Sequence, residues 1–268
     1  MNTLLKLCLC ALMLPAAAGA APANCPIPAP QRDWLMMVVT NNTDPAREAE
    51  FNHWYNDIDL PDVFTVPGYL RARRGSGEEV PAFPSADLQP DEGRYVALYD
   101  IDSADIDGTI IDMLLLARKM DNTGRSTDQL QVTERLYFRR YASTVEAPQP
   151  KPTGKNPYLY VVKVDCCADE TTTAGFNAWY DDTLMPALLQ PPGVQRATRY
   201  ELHRVVMTDP VAVPRYLTVF ELQAPSATEA VGGIHAAMEK LRAVGRMDGH
   251  YREGGATIYL KIKDVNRP

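Results

Sequence analysis

Apolar and polar positions along this chain follow two rhythms, and the rhythms occur twice in the same order. Residues 34–40 form a continuous apolar, β-branched run that predicts a buried strand. Asp44-Pro45 then suits a helix start, with the aspartate as cap and the proline at the first position. Phe51, Trp54, Tyr55 and Ile58 follow at three- and four-residue spacing. They make one apolar helix face, which Pro61 should end or kink. Pro67-Gly68 predicts a turn, and 69–75 and 94–101 predict strands. A helix over 105–120 carries Ile106, Ile110, Met113, Leu114 and Ala117 on one side, and 134–141 closes the set as a strand. The second half repeats the order, with strands at 158–164, 195–203, 215–222 and 256–263 and helices at 171–183 and 226–244. Each half reads βαββαβ.

The halves also match residue by residue. With a shift of 125, residues 33–74 lie over 158–199 without a gap, and 14 of the 42 positions are identical. The identities include Phe51, Asn52, Trp54, Tyr55 and Asp57 against Phe176, Asn177, Trp179, Tyr180 and Asp182. Pro61, Pro67-Gly68, Arg71-Ala72 and Arg74 also find their counterparts. Further on the shift becomes 121, and Arg94-Tyr95 falls on Arg215-Tyr216. The organisation expected is a first repeat over 33–146, a Pro-rich polar linker over 147–157 and a second repeat over 158–268.

A βαββαβ unit forms a four-stranded antiparallel sheet with both helices on one face. The bare face needs a partner, and a tethered second copy supplies one. The fold class is therefore α+β, an intrachain pseudo-dimer closed into a barrel around a central space.

Composition narrows the function classes. Lys plus Arg number 27 and Asp plus Glu 34, a formal charge of −7. That balance argues against a nucleic-acid partner and against an anionic membrane surface. The N-terminus reads as a secretory leader over 1–23: Lys6, an apolar run over 7–14, then small residues with cleavage motifs ending at Ala20 and Ala23. Residues 24–32 form a short segment before the first repeat. The expectation is a periplasmic or secreted protein, with no membrane contact once the leader is gone. Cys25, Cys166 and Cys167 remain after cleavage, either as one bridge from Cys25 or as free thiols.

The segment Phe51-x-x-Trp54-Tyr55, then Leu60-Pro61-Asp62 and Val66-Pro67-Gly68-Tyr69-x-Arg71-Ala72-Arg73, resembles the EthD-like branch of the dimeric α+β barrel superfamily. The resemblance implies tandem ferredoxin-like repeats over nearly the whole chain after the leader. The superfamily includes monooxygenases, polyketide cyclases, muconolactone isomerases and haem peroxidases, so fold does not settle the reaction. The family histidine, used there for acid–base or ligand contacts at a helix end facing the barrel, falls here on Asp59 and Leu184. Asp59 can accept a proton and Leu184 cannot, so the repeats should not be equivalent.

The candidate catalytic residues are accordingly Asp59 as acid or base, Tyr55 as its assistant, and Arg71 and Arg73 as holders of a developing oxyanion. Arg71 and Arg73 share one strand face and Arg74 takes the other. The candidate ligand contacts are Trp54, Tyr69, Trp179, Tyr180, Arg196 and His203. Four histidines at no ligand spacing predict no metal site, and only His203 or His235 would serve a haem. Three readings follow. The first is a cofactor-independent lyase, isomerase or cyclase acting on a small apolar, aromatic or polyketide-like carbonyl compound. The second is a carrier of a hydrophobic ligand. The third is a monooxygenase or haem-linked activity. A homodimer of the pseudo-dimer is compatible with each of them.

Overall fold

The computed structural model describes residues 33–83, 86, 93–149, 151–208 and 213–268. The expected leader, the segment up to residue 32 and Cys25 lie outside the described residues. Cys166 and Cys167 are free thiols.

In the first repeat, strand β1 (Trp34–Asn42) leads into a 3₁₀ turn and helix α1 (Glu48–Trp54). Asp44 caps this entry by accepting from the Ala46 backbone N–H at 3.2 Å. A π turn (Tyr55–Asp59) then runs directly into helix α2 (Leu60–Val63). Strands β2 (Tyr69–Gly77) and β3 (Tyr95–Ile101), helix α3 (Ile106–Asn122) and strand β4 (Leu130–Arg140) complete the unit. A short strand β5 (Val145–Glu146) precedes the second repeat: β6 (Asn156–Asp165), α4 (Glu170–Trp179), a π turn (Tyr180–Leu184), α5 (Met185–Leu188), β7 (Val194–Thr208), β8 (Tyr216–Ala224), α6 (Ala227–Ala243) and β9 (Arg252–Asn266).

Pro61 therefore does not end its helix, which continues through a π turn to Val63. A proline ring collides with the carbonyl four residues back in a regular α-helix. Here the preceding turn is widened, and the Leu60 N–H reaches back five residues to the Tyr55 carbonyl. Met185 N–H bonds the Tyr180 carbonyl in the same way, immediately before Pro186. The Pro67-Gly68 turn is also a matched pair: Gly68 and Gly193 hold φ of 93° and 95°. A Cβ at Gly68 would meet the Asp102 carbonyl oxygen at 2.7 Å, so both conformation and space require glycine.

The strands are ordered β4-β1-β3-β2-β9-β6-β8-β7, and β7 pairs with β4 to close the ring. Every pairing is antiparallel. The repeats are thus tandem ferredoxin-like units forming an intrachain pseudo-dimeric α+β barrel. They are joined edge to edge along two seams, β2–β9 and β4–β7. The second-repeat strands extend beyond their expected ends because each seam lengthens a strand that has a partner on both sides. The Pro-rich stretch before β6 is stitched down as well. Ala147 N–H bonds the Gln195 carbonyl at 2.8 Å, and Lys151 accepts from Gly193 N–H at 2.8 Å.

Alternation sorts the strand residues into three cores. Leu35, Met37, Leu98, Phe138, Leu159 and Leu217 point inward and fill the barrel centre. The central space expected between the two sheets is therefore packed with side chains. The opposite strand faces pack under the helices, one layer per repeat. Strand register corrects the gapless repeat alignment. Met36 pairs with Tyr99, and Tyr160 pairs with Phe220, so the first strands superpose with a shift of 124. The extra residue lies between strand and helix. A one-residue slip in a strand would have turned every side chain to the wrong face.

Candidate functional site

The helix–sheet layer of the first repeat contains a polar cluster within an apolar core. The π turn brings Asp59 over the sheet, where it accepts from the Tyr99 hydroxyl on β3 at 3.4 Å. Tyr55, one helical turn earlier, is buried beside them. Arg74 from β2 lies beneath, fully buried, with its guanidinium 4.1 Å from the centre of the Tyr55 ring. Arg135 from β4 acts on Asp59 from the other side. Further along the same layer, the Tyr69 and Tyr137 hydroxyls are 3.2 Å apart.

Asp59 and Arg135 keep partial exposure, whereas Arg74, Tyr55 and Tyr99 are buried. Burial nevertheless dominates the carboxyl. It pushes the Asp59 pKa up to about 6, while Arg135, Tyr99 and Arg74 pull in the opposite direction. Burial, and then the nearby Asp59 charge, raises the Tyr55 hydroxyl, which stays protonated. Burial lowers the Arg74 pKa. The cluster holds a carboxyl that changes protonation near neutrality, beside hydroxyl donors and guanidinium groups. Such an arrangement can move a proton and hold an oxyanion.

The second repeat keeps the frame and changes the polar set, with its own burial-raised carboxyl at Glu253, which accepts from the Tyr251 hydroxyl at 3.1 Å. Through the pairing registers, Asp59, Tyr99, Arg135, Tyr137 and Tyr69 correspond to Leu184, Phe220, Ala256, Ile258 and Val194. Only Tyr55 and Arg74 are retained, as Tyr180 and Arg199. The Tyr180 hydroxyl is taken by Thr218 at 2.8 Å. The inequivalence expected from Asp59 against Leu184 thus extends to every polar neighbour except one tyrosine and one arginine.

The other sequence candidates lie elsewhere. Trp54 and Trp179 donate Nε1–H to the Arg125 and Arg246 carbonyls at 2.7 and 2.8 Å, tying the first helix of each repeat to the end of its second. Arg71, Arg73 and Arg196 belong to an ionic cluster at the barrel interior and rim, not to the Asp59 layer. Arg73 is 4% exposed and bonds Asp100 at 2.7 Å and Glu221 at 3.1 Å. Arg71 pairs with Asp264 at 2.7 Å and Arg196 with Glu221 at 2.9 Å. Burial raises the Glu221 carboxyl, but Arg73 and Arg196 overcome that, and its pKa is held below the usual value. His203 sits within β7, its ring centre 5.0 Å from that of Trp34 and its Nε2 3.3 Å from Asp107.

Sequence reading alone missed Tyr99 and Arg135 and left Arg74 without a role. The signal was present: at the 121 shift, Tyr99 and Arg135 fall on Phe220 and Ala256. Among the described residues, no cluster of three or more His, Cys, Asp or Glu is placed to hold a metal ion. His235, on α6, stacks on Phe83 at 4.6 Å, and Pro191 closes off the same helix at Gly233.

No family model matches the chain, and no curated protein matches it. Solved structures do. A variant of chlorite dismutase from Candidatus Nitrospira defluvii is 11% identical, with a TM-score of 0.53 over 87% of this chain and 92% of its own. An anthrone oxidase-like protein is 11% identical, with a TM-score of 0.50 over 88% of this chain and 94% of its own. These likenesses show the dimeric α+β barrel fold.

Proposed function

We propose that the helix–sheet layer of the first repeat is a proton-transfer site, and that the protein is a cofactor-independent enzyme acting on a small aromatic or polyketide-like carbonyl compound. The observation that carries this reading is Asp59. It is partly accessible, its pKa is raised to about 6 by burial, it accepts from Tyr99, and its duplicate is Leu184.

Above pH 6 the Asp59 carboxylate accepts a proton from a C–H next to the substrate carbonyl. The electron pair moves onto the carbonyl oxygen as an enolate, which Arg74 and Arg135 stabilise. Tyr99 holds the Asp59 carboxyl in place. Returning the proton to a different carbon completes an isomerisation, and attack of the enolate carbon within the same molecule completes a cyclisation. A positioned base of this kind contributes about 10²- to 10⁴-fold. The aromatic side chains around Arg74 suit a flat, apolar substrate. The same proposal places the enzyme outside the cytoplasm, so the exported protein should begin at Ala21 or Asn24 by mass.

The test is hydrogen–deuterium exchange at the acidic C–H of aromatic ketones and β-dicarbonyl compounds, read by NMR with the full chain. Wild type should accelerate exchange, and Asp59→Asn should lose about 10²-fold or more of that acceleration. Equal exchange by the two proteins removes Asp59 from the chemistry. A tightly held ligand recovered chemically unchanged would favour the carrier reading.

A further inference from the structure

The two repeats treat the same buried arginine differently. Arg199 in the second repeat is neutralised: its Nη1 pairs with Asp181 at 3.3 Å, and its Nη2 donates to Asn177 Oδ1 at 2.5 Å. At the positions of Asp181 and Asn177 the first repeat has Asn56 and Asn52. Arg74 donates only from Nη1, to Asn56 Oδ1 at 3.3 Å; its Nε is buried without an acceptor, as is Nε of Arg199, and what sets it apart is that its Nη2 is buried without one as well. Asn52 Oδ1 is buried and unbonded as well. Nearby, Arg135 Nε is also buried without an acceptor, where the second repeat has Ala256.

Aromatic contacts do not account for the difference. Arg74 lies over Tyr55 at 4.1 Å and Tyr95 at 5.0 Å, and Arg199 lies over Tyr180 at 4.1 Å and Tyr216 at 4.4 Å. The rings are common to both repeats, and the neutralising carboxylate is not. An unpaired buried guanidinium is costly to the fold and persists where an anion completes it. Glu48 accepts from the Tyr95 hydroxyl at 2.6 Å and Asp62 pairs with Arg125 at 2.8 Å, which leaves Asp59 as the carboxyl that faces Arg74 and Arg135.

We infer that this layer is an anion-binding site, and that the molecule it accepts carries a carboxylate or an ionised phenol or enol which Arg74 and Arg135 bind together. This inference rests on reading the first-repeat layer as the working site, and it names the substrate class that site takes. The carbonyl compound is then an aromatic acid or phenolate rather than a neutral hydrocarbon ketone. Guanidinium groups pair with such planar oxyanions through charge-assisted hydrogen bonds.

Direct binding tests the inference without turnover. The full chain is titrated with formate, benzoate, salicylate and 1-naphthoate, and with the corresponding neutral amides, by calorimetry and by NMR of the Asp59 carboxyl. At least one carboxylate should bind about 10-fold or more tighter than its amide, and its binding should raise the apparent Asp59 pKa. Asn56→Asp places a carboxylate where the second repeat has Asp181 and should bring carboxylate and amide to parity. Arg135→Ala should weaken the carboxylates alone. If the amides bind as well as the acids, or no carboxylate binds, the inference is overturned. The wild-type comparison needs no variant and stands even if Asn56→Asp does not fold. Carboxylate binding without catalysed exchange would refute the proton-transfer reading and leave the anion site intact. Exchange of neutral ketones without carboxylate binding would do the reverse.

Discussion

Replacing Asp59 by asparagine should make the folded chain more stable, and the gain should depend on pH. Burial raises the carboxyl to about pH 6 in the folded state, against 3.8 for an ordinary aspartate. Between those values the folded chain binds more protons than the unfolded chain. Stability therefore falls as pH rises through this window, and the penalty is complete above the folded value. A tenfold change is worth about 1.4 kcal/mol, so the full penalty is about 3 kcal/mol. Partial exposure of Asp59 lets water screen the charge and trims the figure to about 1–2 kcal/mol. Asparagine has no charge to desolvate and can still accept from Tyr99. Urea unfolding of wild type and Asp59→Asn at intervals from pH 4 to 8 should give similar midpoints at pH 4 and a difference that grows to a plateau above pH 7. In a chain of this size that plateau corresponds to about 2–8 °C in Tm. Exchange activity should fall in the same variant, as expected where a destabilised group serves function. A difference that stays flat across the range, or a variant less stable at pH 8, would refute the argument that burial sets the carboxyl.

Leu184→Asp places the same carboxyl in the second repeat beside Phe220 and Ala256. It should destabilise the protein at pH 7 by about 2–5 kcal/mol in urea unfolding, because the counterparts of Tyr99 and Arg135 are apolar. Arg73→Met removes the buried guanidinium that bridges Asp100 and Glu221, with Arg196 still paired to Glu221. It should lower stability by about 3–5 kcal/mol, with the substrate-free Asp59 titration measured by NMR unchanged. Trp54→Phe and Trp179→Phe each remove one Nε1–H bond to a helix-end carbonyl. Each should cost about 1 kcal/mol, equally in the two repeats, by thermal melting.

The architecture could be read from the chain because its determinants are local and repeated. The apolar run over 34–40, the Asp44 cap, the Trp-Tyr face and the Pro67-Gly68 turn each report a backbone preference, and a second copy of each supports the order. Asp59 was identifiable for the same reason, as a carboxyl at a position where its duplicate is leucine. Three matters lay beyond linear reading. The widened turn before Pro61 depends on how a helix accommodates a missing N–H, and it turns Asp59 over the sheet. The closed ring of strands fills the barrel centre, so the working layer lies between helices and sheet, and Arg71 and Arg73 are committed to Glu221, Asp264 and Asp100. The grouping of Tyr99, Arg74 and Arg135 around one carboxyl joins three strands separated in sequence, and only their pairing brings the side chains together. Local propensity sets which elements form, whereas burial, charge compensation and proton affinity depend on what packs against them.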